Sequence, residues 1–168
     1  MKDNIILIGM PGCGKSTIGV LLAKNLAYGF LDSDLVIQEQ SGRKLQDMID
    51  EMGPEAFSAF EDAVNATLIP HNTVIATGGS AVYGTRAMEH FKQIGTVVYL
   101  KASYETIEKR IRNFATRGIV IPEGQTFRDV YNERTALYEK YADITVDVDV
   151  DKADIWDVVE AITAKLKA

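Results

Sequence analysis

Five short apolar runs punctuate the chain: Ile5–Ile8, Gly29–Leu31, Thr73–Ala76, Thr96–Leu100 and Ile144–Val148. They predict strands, the first of them buried. Helical periodicity fills the gaps. Ile18, Leu21, Leu22 and Leu26 form one stripe, and Phe57, Phe60, Val64 and Leu68 a second. Phe127, Val130, Tyr131, Leu137, Tyr138 and Tyr141 form a third, and Ile155, Val158, Val159, Ile162 and Leu166 a last one, with Trp156 expected to pack beside it. Strands alternating with helices predict an α/β fold with a parallel sheet covered on both faces. In such sheets ligands sit beyond the carboxyl ends of the strands, so residues just after each strand are the first candidates for chemistry. No repeat, linker or low-complexity tract divides the chain, and residues 1–168 are expected to form a single domain.

The segment after the first strand, Gly9-Met10-Pro11-Gly12-Cys13-Gly14-Lys15-Ser16-Thr17, fits G-x-x-x-x-G-K-[ST] in a strand–loop–helix context. Glycines let backbone N–H groups wrap a polyphosphate without Cβ clashes, and the following helix N-terminus adds partial positive charge. Gly12, Cys13, Gly14, Lys15, Ser16 and Thr17 are therefore the nucleotide-binding candidates. Lys15 is placed to reach the β- and γ-phosphates, and the Ser16 hydroxyl to ligate Mg²⁺. ATP and Mg²⁺ follow as the expected cofactors. Cys13 is expected to be a small, tolerated loop residue.

Composition narrows the partners. A net charge of −6 excludes a general nucleic-acid binder, and a single cysteine excludes a disulfide framework. Met1-Lys2-Asp3 runs straight into a strand and no apolar run reaches spanning length, so a cytoplasmic location is expected, with no membrane association. The expected partner is a small hydroxylated molecule, with no obligate protein partner.

Asp32 and Asp34 follow the second strand. Two apart in an extended stretch, they can point the same way, one supporting Mg²⁺ and the other accepting a hydroxyl proton; a helix N-cap at Ser33 or Asp34 is the structural alternative. Thr77-Gly78-Gly79-Ser80 follows the third strand, where paired glycines serve either a turn or a close approach to ligand. Arg110–Gln125, with Arg110, Arg112 and Arg117, has few regular apolar positions and is expected to be a mobile loop able to close over phosphates. Arg134 lies on the third apolar stripe, where a charge must be paired or bind an anion. Substrate anion and internal salt bridge, to Glu61 or Glu133, both stay open. His71 and His90 have no partner at metal-ligand spacing and are expected on loops or the surface.

With these residues assembled, the chain resembles the shikimate kinase family, in the nucleoside-monophosphate-kinase-like branch of phosphate-loop proteins, from about Asn4 to Leu166. The resemblance rests on Gly9–Gly19, on Leu31-Asp32-Ser33-Asp34 with Ile37–Arg43, on Thr77-Gly78-Gly79, on Val97–Leu100 and on Glu133-Arg134-Thr135-Ala136-Leu137-Tyr138. It implies a three-layer α/β/α fold with a five-stranded parallel sheet, substrate-binding helices over about 33–69 and a lid over about 112–124. It implies transfer of the γ-phosphoryl of ATP to the 3-hydroxyl of shikimate, with Mg²⁺, in aromatic amino acid biosynthesis. By position, Lys15 and Arg117 would stabilise the transferring phosphoryl, Ser16 would ligate Mg²⁺ with Asp32 in support, and Arg110 would line the adenine site. Asp34 would hold the substrate hydroxyls and act as base, Gly78 and Gly79 would contact substrate, and Arg134 would take its carboxylate.

The chain departs from the family at three positions. Ser58 stands where the family has a second carboxylate-gripping arginine, Ser80 where it has a third glycine, and Gly118 where proline follows the lid arginine. A desolvated bidentate arginine contact is worth roughly 2–4 kcal/mol, so its loss weakens carboxylate binding by about 30- to 1000-fold unless something such as Arg43, Lys44 or Arg86 compensates. The phosphoryl-transfer half is thus intact and the substrate half altered. A different small hydroxylated acceptor, such as a sugar acid, homoserine or a cyclitol, is the alternative, with a non-catalytic nucleotide-binding regulator behind it. A switch GTPase is excluded, because the D-x-x-G match at Asp50–Gly53 follows a helical run and no guanine-reading Asn-Lys-x-Asp occurs. The paired aspartates argue against a phosphorylated acceptor, which they would repel.

Overall fold

The first strand, β1 (Asn4–Ile8), is buried at every residue, as a central strand of a parallel sheet covered on both faces must be. The computed structural model describes residues 2–112, 119, 121–149 and 154–168. After β1 come α1 (Lys15–Leu26), β2 (Gly29–Asp32), α2 (Ser33–Ser41), α3 (Leu45–Met52), α4 (Pro54–Asn65) and β3 (Thr73–Ala76). A 3-10 turn at Ala81–Tyr83 leads to α5 (Thr85–Ile94), β4 (Gly95–Lys101), α6 (Tyr104–Arg112), α7 (Phe127–Tyr141), β5 (Ile144–Asp147) and α8 (Ile155–Lys167). All pairings are parallel, in the order β2-β3-β1-β4-β5. The chain leaves β1 for one edge, returns beside it as β3, then crosses to β4 on its other side. The carboxyl end of β1 is therefore where the winding direction changes, and a crevice opens there.

Helices complete three layers. α1 packs on the sheet and against α8, while α5 and α7 pack on β4. The main core joins Ile6, Leu7, Leu22, Ile75, Val98 and Ile162, all at 0% exposure. A second core of Ile37, Met48, Phe57 and Val64 ties α2, α3 and α4 together. That satellite core makes the three-helix segment a unit of its own beside the sheet. Asn4, buried at the amino end of β1, ties down three segments distant in sequence: its Nδ2 donates to Pro70 O (2.8 Å) and Ile94 O (3.0 Å), and its Oδ1 accepts from Thr73 N (3.1 Å). α7 starts on a capping box formed by Thr126 and Asp129, worth about 1 kcal/mol.

Four expectations need correction. Arg110 and Arg112 belong to α6 and not to a loop, because Ile107 and Ile111 give that stretch an apolar face. Trp156 is 41% exposed; one residue past Ile155 it is rotated about 100° away from the buried face. Leu68 is buried but lies beyond the end of α4. The stretch from Asp32 to Asp34 is not extended, since β2 ends at Asp32 and α2 begins at Ser33. The expected lid falls largely on residues 113–118 and 120, which lie outside the described residues together with Arg117 and Gly118. Among the described residues no helix is long and apolar enough to cross a membrane.

Candidate active site

The loop between β1 and α1 turns on Gly14, whose φ of 100° is a left-handed conformation that a side chain would strain. This turn aims the first N–H groups of α1 at the loop's concave side. Lys15 is buried, and its ammonium donates to Gly9 O (2.7 Å) and Met10 O (2.9 Å). Cys13 is buried within the loop, its Sγ 3.8 Å from Lys15 Nζ. Arg110 reaches from α6 to donate through Nη1 to Gly12 O (3.0 Å), so its guanidinium braces the phosphate loop.

The cap of α2 is Asp32, and not Ser33 or Asp34. Its Oδ1 accepts from Asp34 N (3.0 Å) and caps α2, while its Oδ2 accepts from the Ser16 hydroxyl (2.9 Å). Asp34 stands in the first turn of α2. Burial, then the neighbouring Asp32 charge, push its carboxyl up to about 6 against the pull of Lys15. Ser16 with Asp32 behind it suits a magnesium ion, which takes one or two protein oxygens and fills its sphere with phosphate and water. Among the described residues no cluster of three or more His, Cys, Asp or Glu side chains offers an all-protein metal cage.

Gly78 must be glycine on steric grounds. A Cβ there would lie 2.7 Å from Asp34 Oδ1 and 2.8 Å from Glu61 Oε1. The two carboxyls thus converge over one backbone position, and no hydrogen bond reaches either of those two oxygens among the described residues. At Gly79, Tyr138 Oη donates to the carbonyl (2.5 Å), and a Cβ would meet Pro11 and, at 3.2 Å, Arg134 Nη1. Ser80 donates to Glu61 Oε2 (2.7 Å). Burial pushes the Glu61 carboxyl up to about 7, with the Ser80 hydrogen bond opposing, the Asp34 charge adding and the Arg134 charge opposing.

Arg134 is 2% exposed. Its guanidinium lies 5.5 Å from the Tyr83 ring centroid, and the Tyr83 hydroxyl donates to Glu133 (2.6 Å). Two cavities meet at this arginine. The smaller, about 380 Å³, holds Lys15, Ser16, Asp32, Asp34, Gly78 and Arg134, with Gly12, Gly14, Thr17, Gly79 and Ser80 also on its wall. The larger, about 840 Å³, is lined by Ser58, Met52, Tyr83 and Pro122. Phe57, Ser80 and Arg134 face both. Ser58 therefore sits on the larger cavity, apart from the phosphate loop.

None of the candidate replacements for the arginine absent at Ser58 lines either cavity. Arg43 pairs with Glu51, Arg86 pairs with Asp62 (2.9 Å), and Lys44 is exposed at the start of α3. His71 is exposed beside Asp3, and His90 contacts Leu68 O, so neither joins the site. Glu61 is the residue missing from the set of candidates drawn from sequence. It lies four after Phe57 and three before Val64 on α4, on the buried stripe, and the charge-on-a-stripe signal that marked Arg134 marks it equally.

A phosphate loop closing β1 of a 2-3-1-4-5 parallel sheet, with paired carboxyls and a buried arginine across the crevice, defines a phosphate-loop kinase. The shikimate kinase family model matches residues 11–167. A shikimate kinase from Thiobacillus denitrificans is 37% identical over 149 residues, covering 87% of this chain and 81% of that protein. One from Chlorobium chlorochromatii is 36% identical, covering 97% of this chain and 90% of its own. The solved shikimate kinase of Acinetobacter baumannii in complex with shikimate superposes with a TM-score of 0.86 at 30% identity, covering 99% of this chain and 94% of that one. The chain belongs to the shikimate kinase family.

Proposed function

We propose that this protein transfers the γ-phosphoryl group of ATP to the 3-hydroxyl of shikimate. The observation that carries the proposal is the convergence, on one cavity, of Lys15 from the phosphate loop, Asp34 after β2, the Gly78-Gly79 backbone after β3 and Arg134 from α7. An acceptor whose carboxylate rests on Arg134 presents its hydroxyl end toward Asp34, between the arginine and the phosphate loop.

The loop amides, the α1 N-terminus and Lys15 bind the triphosphate and neutralise charge as the γ-phosphoryl leaves ADP. Ser16 and Asp32 would hold a magnesium ion, which would supply charge neutralisation to the triphosphate. Asp34 orients the attacking hydroxyl and takes its proton; a carboxyl raised to about 6 is ionised near neutrality yet a stronger base than an ordinary aspartate. Arg117, by its place in the sequence, joins Lys15 on the transferring phosphoryl. Arg110 braces the loop that holds the phosphates, and its own neighbourhood receives the nucleobase. In this reading the α2–α4 segment, close to residues 33–69, carries the acceptor; the lid that the family resemblance implies over about 112–124 falls largely outside the described residues.

Mass spectrometry and ³¹P NMR of the product formed from shikimate, ATP and Mg²⁺ test this. A monophosphate ester at the 3-oxygen is expected. No ester, or an ester at another oxygen, overturns the proposal. A different hydroxylated acceptor, such as a sugar acid, homoserine or a cyclitol, draws support from one observation: Ser58 leaves the wall of the larger cavity open beside Arg134.

A further inference from the structure

Two of the family departures meet at a third residue. Ser58 and Glu61 lie one turn apart on the same face of α4, and Ser80 donates to Glu61 from across the site. Glu61 is 1% exposed and shares the space above Gly78 with Asp34. A carboxyl buried in that position needs a hydrogen-bond partner to fix its rotamer, and Ser80 supplies one. A guanidinium at position 58 would stand one turn from the same carboxyl and compete with Ser80 for it.

We propose that Ser80 is a positioning residue for the acceptor site: its hydroxyl holds Glu61, in place of a cation on α4, and so fixes the Gly78-Gly79 backbone and Arg134 that receive the acceptor. Ser58 and Ser80 are then one coupled change and not two independent ones. With a small residue at 58, the hydroxyl at 80 is required; with arginine at 58, it is superfluous. The buried environment sharpens this, since the Ser80 hydrogen bond is the leading influence that offsets the cost of burying Glu61. The geometry around it is tight: Glu61 Oε1 and Asp34 Oδ1 fill the space over the Gly78 Cα, so the Glu61 carboxyl packs directly against the backbone that lines the acceptor cavity.

The inference rests on the shikimate reading, and the test separates the two. Steady-state kinetics are measured for the wild type, Ser80→Ala, Ser80→Thr, Ser58→Arg and the double variant Ser58→Arg/Ser80→Gly. Ser80→Ala is expected to raise KM for shikimate about tenfold, with KM for ATP moved far less. Ser80→Thr, which keeps the hydroxyl, is expected to restore most of the loss. Ser58→Arg is expected to raise affinity for shikimate or leave it unaffected, and its gain is expected to be at least about fivefold larger when residue 80 is glycine. Equal KM values for the wild type and Ser80→Ala would overturn the inference. So would equal losses in Ser80→Ala and Ser80→Thr, or effects at 58 and 80 that simply multiply. A wild type that turns over another acceptor and not shikimate would overturn the acceptor assignment alone, and the same Ser80 comparison on that acceptor still decides this inference.

Discussion

The phosphate-loop side and the acceptor side of this site are built on different physics. On the first side, backbone does the work: Gly14 in a left-handed conformation, the α1 N-terminus, and a lysine held by the Gly9 and Met10 carbonyls. On the second, side chains do it: the buried Glu61 and Arg134 with the half-buried Asp34 and Ser80, whose positions depend on one another. A backbone device tolerates little change in sequence and so remains recognisable. A network of side chains can be rewired, with one hydroxyl taking the place of a guanidinium, and still hold its shape. That difference explains why two of the three departures from the family, Ser58 and Ser80, fall on the acceptor side while the phosphate loop fits its pattern.

The largest effect is expected on the first side. Lys15→Ala removes a preorganised charge from the leaving phosphoryl, and kcat is expected to fall about 10²–10³-fold with any acceptor. A loss confined to one acceptor in that assay would contradict the division of labour. On the second side, Arg134→Ala is expected to raise KM for shikimate roughly 30-fold or more, because a buried charged contact to a carboxylate is lost. KM for ATP measured on the same variant is expected to move by less than about threefold. An equal rise in both would mean that Arg134 supports the whole fold and not the acceptor side.

A smaller effect concerns stability. The Glu61 carboxyl is raised from 4.5 to about 7 in the folded protein, so the folded state binds its proton more tightly than the unfolded chain does. The stabilisation is fully present below about pH 4.5 and is lost as pH rises through about 7, by about 3 kcal/mol at most. Asp34, raised to about 6, acts in the same direction. Urea unfolding at pH 5 and pH 8 checks this by comparing the wild type with Glu61→Gln. The drop in unfolding free energy between the two pH values is expected to shrink in the variant. An unchanged drop would show that Glu61 is not the group responsible.

The five strands were legible because short β-rich apolar runs, alternating with helical stripes, bound them to within a residue or so. The loop was legible because its glycines and lysine occupy fixed spacings. Arg134 was legible because a charge stood on an apolar stripe. Glu61 carried the same signal, masked by the other acidic residues around it on α4 (Glu55 and Asp62 among them). The pairing of Ser80 with Glu61 was not legible at all, since the residues come from different elements and only the fold brings them together. The same holds for Asp32: its carboxylate caps a helix with one oxygen and receives Ser16 with the other, and no spacing rule separates those roles in advance.

The most direct test of the central claim, that the rewired acceptor side still takes shikimate, is coupled ADP release with ATP and Mg²⁺ across shikimate, sugar acids, homoserine and cyclitols. Saturable turnover on shikimate at about 1–100 s⁻¹, with the highest kcat/KM of the panel, is the predicted result. Turnover on another member with none on shikimate would contradict it, and would mean that Ser58 and Ser80 had changed the acceptor and not merely the way it is held.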